Sequence, residues 1–208
     1  MSSINCCQYI LNFQTNPYDA AQSPGHRVWR LPSESLMITA KAKKSGMHQV
    51  RYLVGIAYDR GVVVCHKIEK KGKLTGTDFA EIIESGVFRD CIPLTKQSST
   101  INTLQDNCPV QNSSAALKAF DKQDISLVKI PARSPDINCI ENFFAHLKRR
   151  LRTQAIEGNI VKESKKQFCQ RIEQTLENWE IPKVNTLINS LPRRVKLLVE
   201  NHGDHIPY

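Results

Sequence analysis

Ser134-Pro135-Asp136-Ile137-Asn138-Cys139-Ile140-Glu141-Asn142 runs straight into Phe143-Phe144-Ala145-His146-Leu147-Lys148-Arg149-Arg150. The Pro-Asp pair makes a turn, because proline fixes φ and the residue before it is pushed out of the helical region. A helix follows. Ile140, Phe143, Phe144, Leu147 and Leu151 fall at offsets 0, 3, 4, 7 and 11, which is one apolar stripe of an amphipathic helix. Glu141 stands in the first turn of that helix, where the helix dipole favours negative charge. Glu141, Ala145, Lys148 and Arg152 share a different face, so two cations follow the acid along the helix.

Upstream, a β-like run from Thr100 to Leu104 ends at Gln105-Asp106-Asn107, and thirty-four residues separate Asp106 from Glu141. On its own, Asp106 reads as an ordinary Asx-turn residue. An Asp-Asn after a strand, this interval, and a Glu inside Ser-Pro-Asp-x-Asn-x-Ile-Glu-Asn together resemble the catalytic domain of a Tc/mariner-type DDE transposase. The resemblance runs from about Arg27 to Tyr208 and includes Val28-Trp29-Arg30. It implies an RNase H-like α/β fold, a mixed central sheet flanked by helices with a helical C-terminal tail. It implies three acids, from the first central strand, the end of the fourth strand and a helix. Asp106 takes the second place and Glu141 the third, as catalytic and metal-binding residues. The implied cofactor is Mg²⁺ (or Mn²⁺), and the implied reaction is cleavage and strand transfer of DNA. Two hard cations held by carboxylates suit that chemistry, since they activate the attacking oxygen and stabilise the leaving one.

The first acid is not evident. Counting back from Trp29 leads to Leu11-Asn12-Phe13-Gln14, which holds no carboxylate. Asp19 is the remaining candidate, but it follows Pro17-Tyr18 in a loop-like stretch rather than ending a strand. Gln111 stands where the family often has His, and Cys139 where it often has Pro. Two functions therefore stay open: a metal-dependent DDE endonuclease for DNA transposition, and a catalytically silent, transposase-derived nucleic-acid-binding protein. The family's N-terminal helix-turn-helix modules are expected to be missing in front, and with them specific recognition of transposon ends.

A net charge of +9 over 208 residues favours a polyanionic partner. Lys148, Arg149, Arg150 and Arg152 are the candidate DNA-binding residues, as a phosphate track beside Glu141. Arg193, Arg194 and Lys196 form a second basic cluster that reads as a solvated helix face. Trp29 and Trp179 read as core. Seven cysteines, with no Cys-x-x-Cys spacing and no zinc pattern, suggest a reduced intracellular protein. No run is long enough to span a bilayer, and no signal peptide is visible. The expected partner is DNA, with no membrane and no small-molecule substrate; a homodimer is left open. The expected location is the nucleus.

Residues 1–26 read as a divergent segment holding a remnant of the first core strand, around Tyr9 to Phe13, with a loop from Gln14. Residues 27–160 read as the catalytic domain, and 161–208 as its C-terminal helical part. Val50 to Tyr58 and Val62 to Ile68 form a hairpin about Asp59-Arg60-Gly61. Thr77 or Asp78 caps a short helix, Ser113 or Ser114 caps another with Ala116, Leu117 and Phe120 on one face, and Ile125 to Ile130 is a strand. Ser164 opens a later helix, and Pro182 and Pro192 sit in the first turns of two more.

Overall fold

The computed structural model describes residues 6–15, 48–88, 101–130, 134–160, 163–204 and 206. Among these residues five strands form one sheet: β1 (Cys6–Thr15), β2 (His48–Ala57), β3 (Gly61–Lys67), β4 (Ile101–Gln105) and β5 (Ile125–Lys129). Their order is β3-β2-β1-β4-β5. β1 is antiparallel to β2 and parallel to β4, while β4 and β5 are parallel. The first strand is thus central. It runs to Thr15, two residues past the expected strand end at Phe13, because its pairing with β2 continues to Thr15 opposite His48.

The β2–β3 hairpin turns where the sequence predicts. Asp59 and Gly61 both have positive φ, at 57° and 73°, which the tight reversal requires. Asn185 clamps its tip, accepting from the Asp59 amide at 2.8 Å and donating to Asp59 Oδ1 at 2.7 Å.

Helices cover both faces. α1 (Gly76–Glu84) and α2 (Ser114–Lys122) lie on one side. There Leu53, Val64, Phe79, Ile83, Phe88, Ala119, Phe120 and Ile125 form one core. α3 (Cys139–Glu157), α4 (Lys165–Glu177), α5 (Ile181–Asn189) and α6 (Leu191–Glu200) lie on the other. There Val50, Tyr52, Val54 and Ile56 of β2 meet Phe143, Phe144, Leu147, Phe168, Ile172 and Trp179. β2 is buried on both faces, which is why it reads as a nearly continuous apolar run. This is the α/β, RNase H-like architecture that the resemblance implies.

Local chemistry sets the helix starts. Thr75, not Thr77 or Asp78, caps α1; its side chain accepts from the Asp78 amide, and Asp78 reaches back to the Thr75 amide at 2.7 Å. The sequence signal was a capping box, and Asp78 is its third-position partner. Ser113 caps α2, whose buried face is Ala116, Ala119 and Phe120, with Leu117 only partly covered. Ser164 caps α4 in a second box with Gln167. Pro182 and Pro192 stand in the first turns of α5 and α6. α4 is tied to the sheet by Tyr52, which donates to Glu173 at 2.7 Å, and to α3 by Arg171, which donates to the Leu151 carbonyl at 2.8 Å.

Candidate metal and nucleic-acid site

Asp106 follows the last residue of β4, at the carboxyl end of the parallel pair β4–β5. Its loop is held by short-range bonds. Asp106 Oδ1 accepts from the Cys108 amide at 3.2 Å, the Asx turn expected of an Asp here. Asn112 donates to the carbonyls of Asp106 and Cys108, each at 3.1 Å. Asn107 donates to the Ile130 carbonyl at 2.9 Å and so ties the loop to the strand beside it.

Glu141 is the third residue of α3, and its amide donates to the Asn138 carbonyl at 3.1 Å. A Glu at that position often reaches back to cap its own helix. Here Asn138 heads α3 without any side-chain capping bond, and the Glu141 carboxylate makes no hydrogen bond to a described residue. It is left for other work.

The fold brings the two acids within electrostatic reach. Burial holds the Glu141 carboxyl above its usual range, the Asp106 charge adds to this, and Lys148 opposes it. Burial likewise raises Asp106, while the amides of Cys108 and Asp106 pull it back. Two partly buried carboxylates that repel one another are a natural seat for a hard cation, which would relieve both burdens. The donor set suits Mg²⁺ or Mn²⁺ to that extent. Among the described residues no third His, Cys, Asp or Glu completes a metal-binding group. β1 lies beside β4, with Cys7 level with Leu104, yet Cys6–Thr15 contains no Asp or Glu. Asp19 lies outside the described residues.

The basic residues divide. Lys148 and Arg149 are exposed on α3, and Lys148 acts on Glu141 as its place on the helix predicts. Arg150 is engaged within the protein: it pairs with Glu180 at 2.6 Å and lies 5.1 Å from the ring centre of Trp179. Trp179 is buried against Phe143, with ring centres 4.7 Å apart. Arg152 is partly buried. The second cluster also splits, with Arg193 and Lys196 exposed and Arg194 buried. Gln111, at the position read as a family His, is fully buried, and neither side-chain atom has a partner among the described residues. Arg194 and Asn107 are the residues of this region that sequence reasoning missed. The signal for Arg194 was available: it lies three residues after Leu191 and four before Leu198, on the inward stripe of α6.

A mixed sheet in this order and helices on both faces define an RNase H-like domain, with two acids, past β4 and at the start of α3, close enough for the charge of one to act on the other. The sequence of residues 39–178, more than half the chain, matches the DDE superfamily endonuclease family. The chain belongs to that family, and within it resembles transposases of the Tc/mariner type. It is 31% identical over 99 residues to the Tcb1 transposase of Caenorhabditis briggsae, a stretch covering 48% of this chain and 34% of that protein. The chain thus matches about a third of the length of the curated transposases it resembles. Its fold is similar to that of the Mos1 transposase in a paired-end complex with the left transposon end. There the TM-score is 0.73 at 13% identity, covering 97% of this chain and 56% of the other. A Mos1 paired-end complex with Mn matches with a TM-score of 0.70 at 14% identity, over 97% and 56% of the two chains. No helix among the described residues is long and apolar enough to cross a membrane.

Proposed function

We propose that this domain binds DNA and carries out divalent-metal-dependent phosphodiester chemistry, cleavage and strand transfer, at Asp106 and Glu141. The observation that carries the reading is the convergence of these two carboxylates from separate elements, each partly buried and each held above its usual ionisation range. Similarity to Mos1 complexes that contain transposon ends and Mn supports the choice of DNA and of a divalent cation.

Asp106 and Glu141 would hold the cation, which supplies charge neutralisation and Lewis-acid activation of oxygen when bound. The chain's own residues do the rest. The Asp106 loop presents its carboxylate at the sheet's end, fixed by Asn112 and Asn107. α3 presents Glu141 within range of the Asp106 charge and carries Lys148 and Arg149 outward on its exposed surface. Those two cations are positioned to receive backbone phosphate, with Arg152 farther along the helix, giving affinity without sequence preference. Arg150 contributes less to DNA, because Glu180 and Trp179 already hold it.

A second reading is a DNA-binding domain without catalysis. The absence of any acid in β1 favours it, since two carboxylates hold hard cations more weakly than three. Calorimetry with Mn²⁺ on the chain and on the Asp106→Ala/Glu141→Ala double variant separates the two. Binding in the micromolar-to-millimolar range that vanishes in the double variant supports the metal site. A folded protein that binds DNA equally well in chelator, and takes up no Mn²⁺, sinks the catalytic reading. DNA affinity should fall steeply with salt under either reading.

A further inference from the structure

We propose that Arg194, on the last helix, is the positioning residue that fixes the Glu141 turn. The inference rests on Glu141 being a site carboxylate and adds what holds it there. Arg194 is only 4% exposed. Its Nη1 donates to the Asp136 carbonyl at 2.9 Å and to Asn142 Oδ1 at 2.7 Å. Its Nε donates to Ser190 Oγ at 2.8 Å, one turn earlier on the chain. The two contacts across the interface straddle Glu141, one in the Pro135–Ile137 turn before it and one in the next residue.

Three facts make this a device rather than incidental packing. First, α3 starts without a side-chain cap at Asn138, so its first turn lacks the usual local restraint. Secondly, a buried guanidinium is expensive unless its donors are used, and here Nη1 is spent on the acidic motif and Nε on Ser190. Thirdly, its neighbours Arg193 and Lys196 point to solvent, so the buried position singles out one residue of the cluster. The guanidinium matters, because Nη1 reaches the Asp136 carbonyl and Asn142 Oδ1 while Nε holds Ser190, and the single nitrogen of a lysine ammonium cannot occupy both places. Ser190, the donor's third partner, sits at the joint between α5 and α6 and donates to the Leu187 carbonyl at 2.6 Å. The joint and the acidic turn are thus linked through one side chain.

The test is amide hydrogen exchange on the metal-free chain, comparing the wild type with Arg194→Ala, Arg194→Lys and Asn142→Ala. Mn²⁺ calorimetry on the same proteins is the second readout. In Arg194→Ala the amides of Glu141 to Ala145 should exchange at least ten-fold faster, while those of Leu147 to Ala155 keep their protection. Arg194→Lys should not restore the wild-type pattern. Asn142→Ala should open the same amides to a smaller degree; it decides the matter alone if Arg194→Ala does not fold, because it cuts one contact and leaves the arginine in place. Equal loss of protection along all of α3, or full rescue by lysine, overturns the proposal. Where the wild type binds Mn²⁺, the Arg194 variants should bind it at least ten-fold more weakly, and unchanged affinity also overturns it. If the wild type binds no Mn²⁺, the metal reading fails, and hydrogen exchange still decides the role of Arg194.

Discussion

The Asp106 loop and the Glu141 turn, the two halves of the proposed site, are held in opposite ways. Among the described residues, the bonds that shape the first come from Cys108 and Asn112 within the loop and from Asn107 reaching Ile130 just past β5. The second has no local cap and is gripped by Arg194, more than fifty residues away. A site half of this kind can keep one wall in order after the other has loosened. The integrity of Asp106 therefore says little about the integrity of Glu141.

The contrast can be broken hardest from beneath Glu141. Phe143 is fully buried against Phe144 and Trp179. Phe143→Ala should destabilise the protein by about 3–5 kcal/mol in urea unfolding, through lost burial and the cavity left behind. Next comes Arg194→Ala, expected at about 3 kcal/mol, because charge-assisted bonds are lost and buried acceptors are stranded. On the other wall, Asn107→Ala should cost about 1 kcal/mol, for a single bond at a partly exposed site. Equal losses for Arg194→Ala and Asn107→Ala would erase the asymmetry.

The smallest effect concerns pH. Both carboxyls sit above their usual range in the folded chain, so the native state holds protons that the unfolded state has released. Their favourable contribution is complete below the ordinary carboxylate pKa, about 4, and is lost as pH rises through the raised folded values. In chelator, stability should decline across that window. Asp106→Asn or Glu141→Gln should flatten the decline, as urea titrations at successive pH values would record. Lys148→Gln should steepen it, since Lys148 is the cation that opposes the Glu141 shift.

Much of this was legible in the sequence for reasons of locality. The stripe from Ile140 to Leu151 seats α3, and all five of its residues are buried. The Asp59-Arg60-Gly61 turn, the Ser113 and Ser164 caps, and both first-turn prolines depend on neighbours in the chain, so they could be read directly. Thr75 was missed by two residues because Asp78 is a partner in the cap rather than the cap itself. The motif singled out Asp106 and Glu141, and in the fold the charge of the first acts on the second. Arg194 was misread because Pro192-Arg193-Arg194 looks like a wet basic patch, and only its spacing from Leu191 and Leu198 betrays its inward face. Arg150 shows the same limit, since Glu180 and Trp179 come from beyond its own helix.

The long reach of Arg194 also imposes an order on synthesis. A ribosome adding about 5–20 residues per second makes Asn142 roughly 3–10 s before it makes the arginine that will hold it, 52 positions later. During that interval the strand pair that carries Asp106 is already available to fold, while the opposing turn waits for its clasp. Until α6 has been made, the turn before Glu141 lacks the side chain that reaches Asp136 and Asn142.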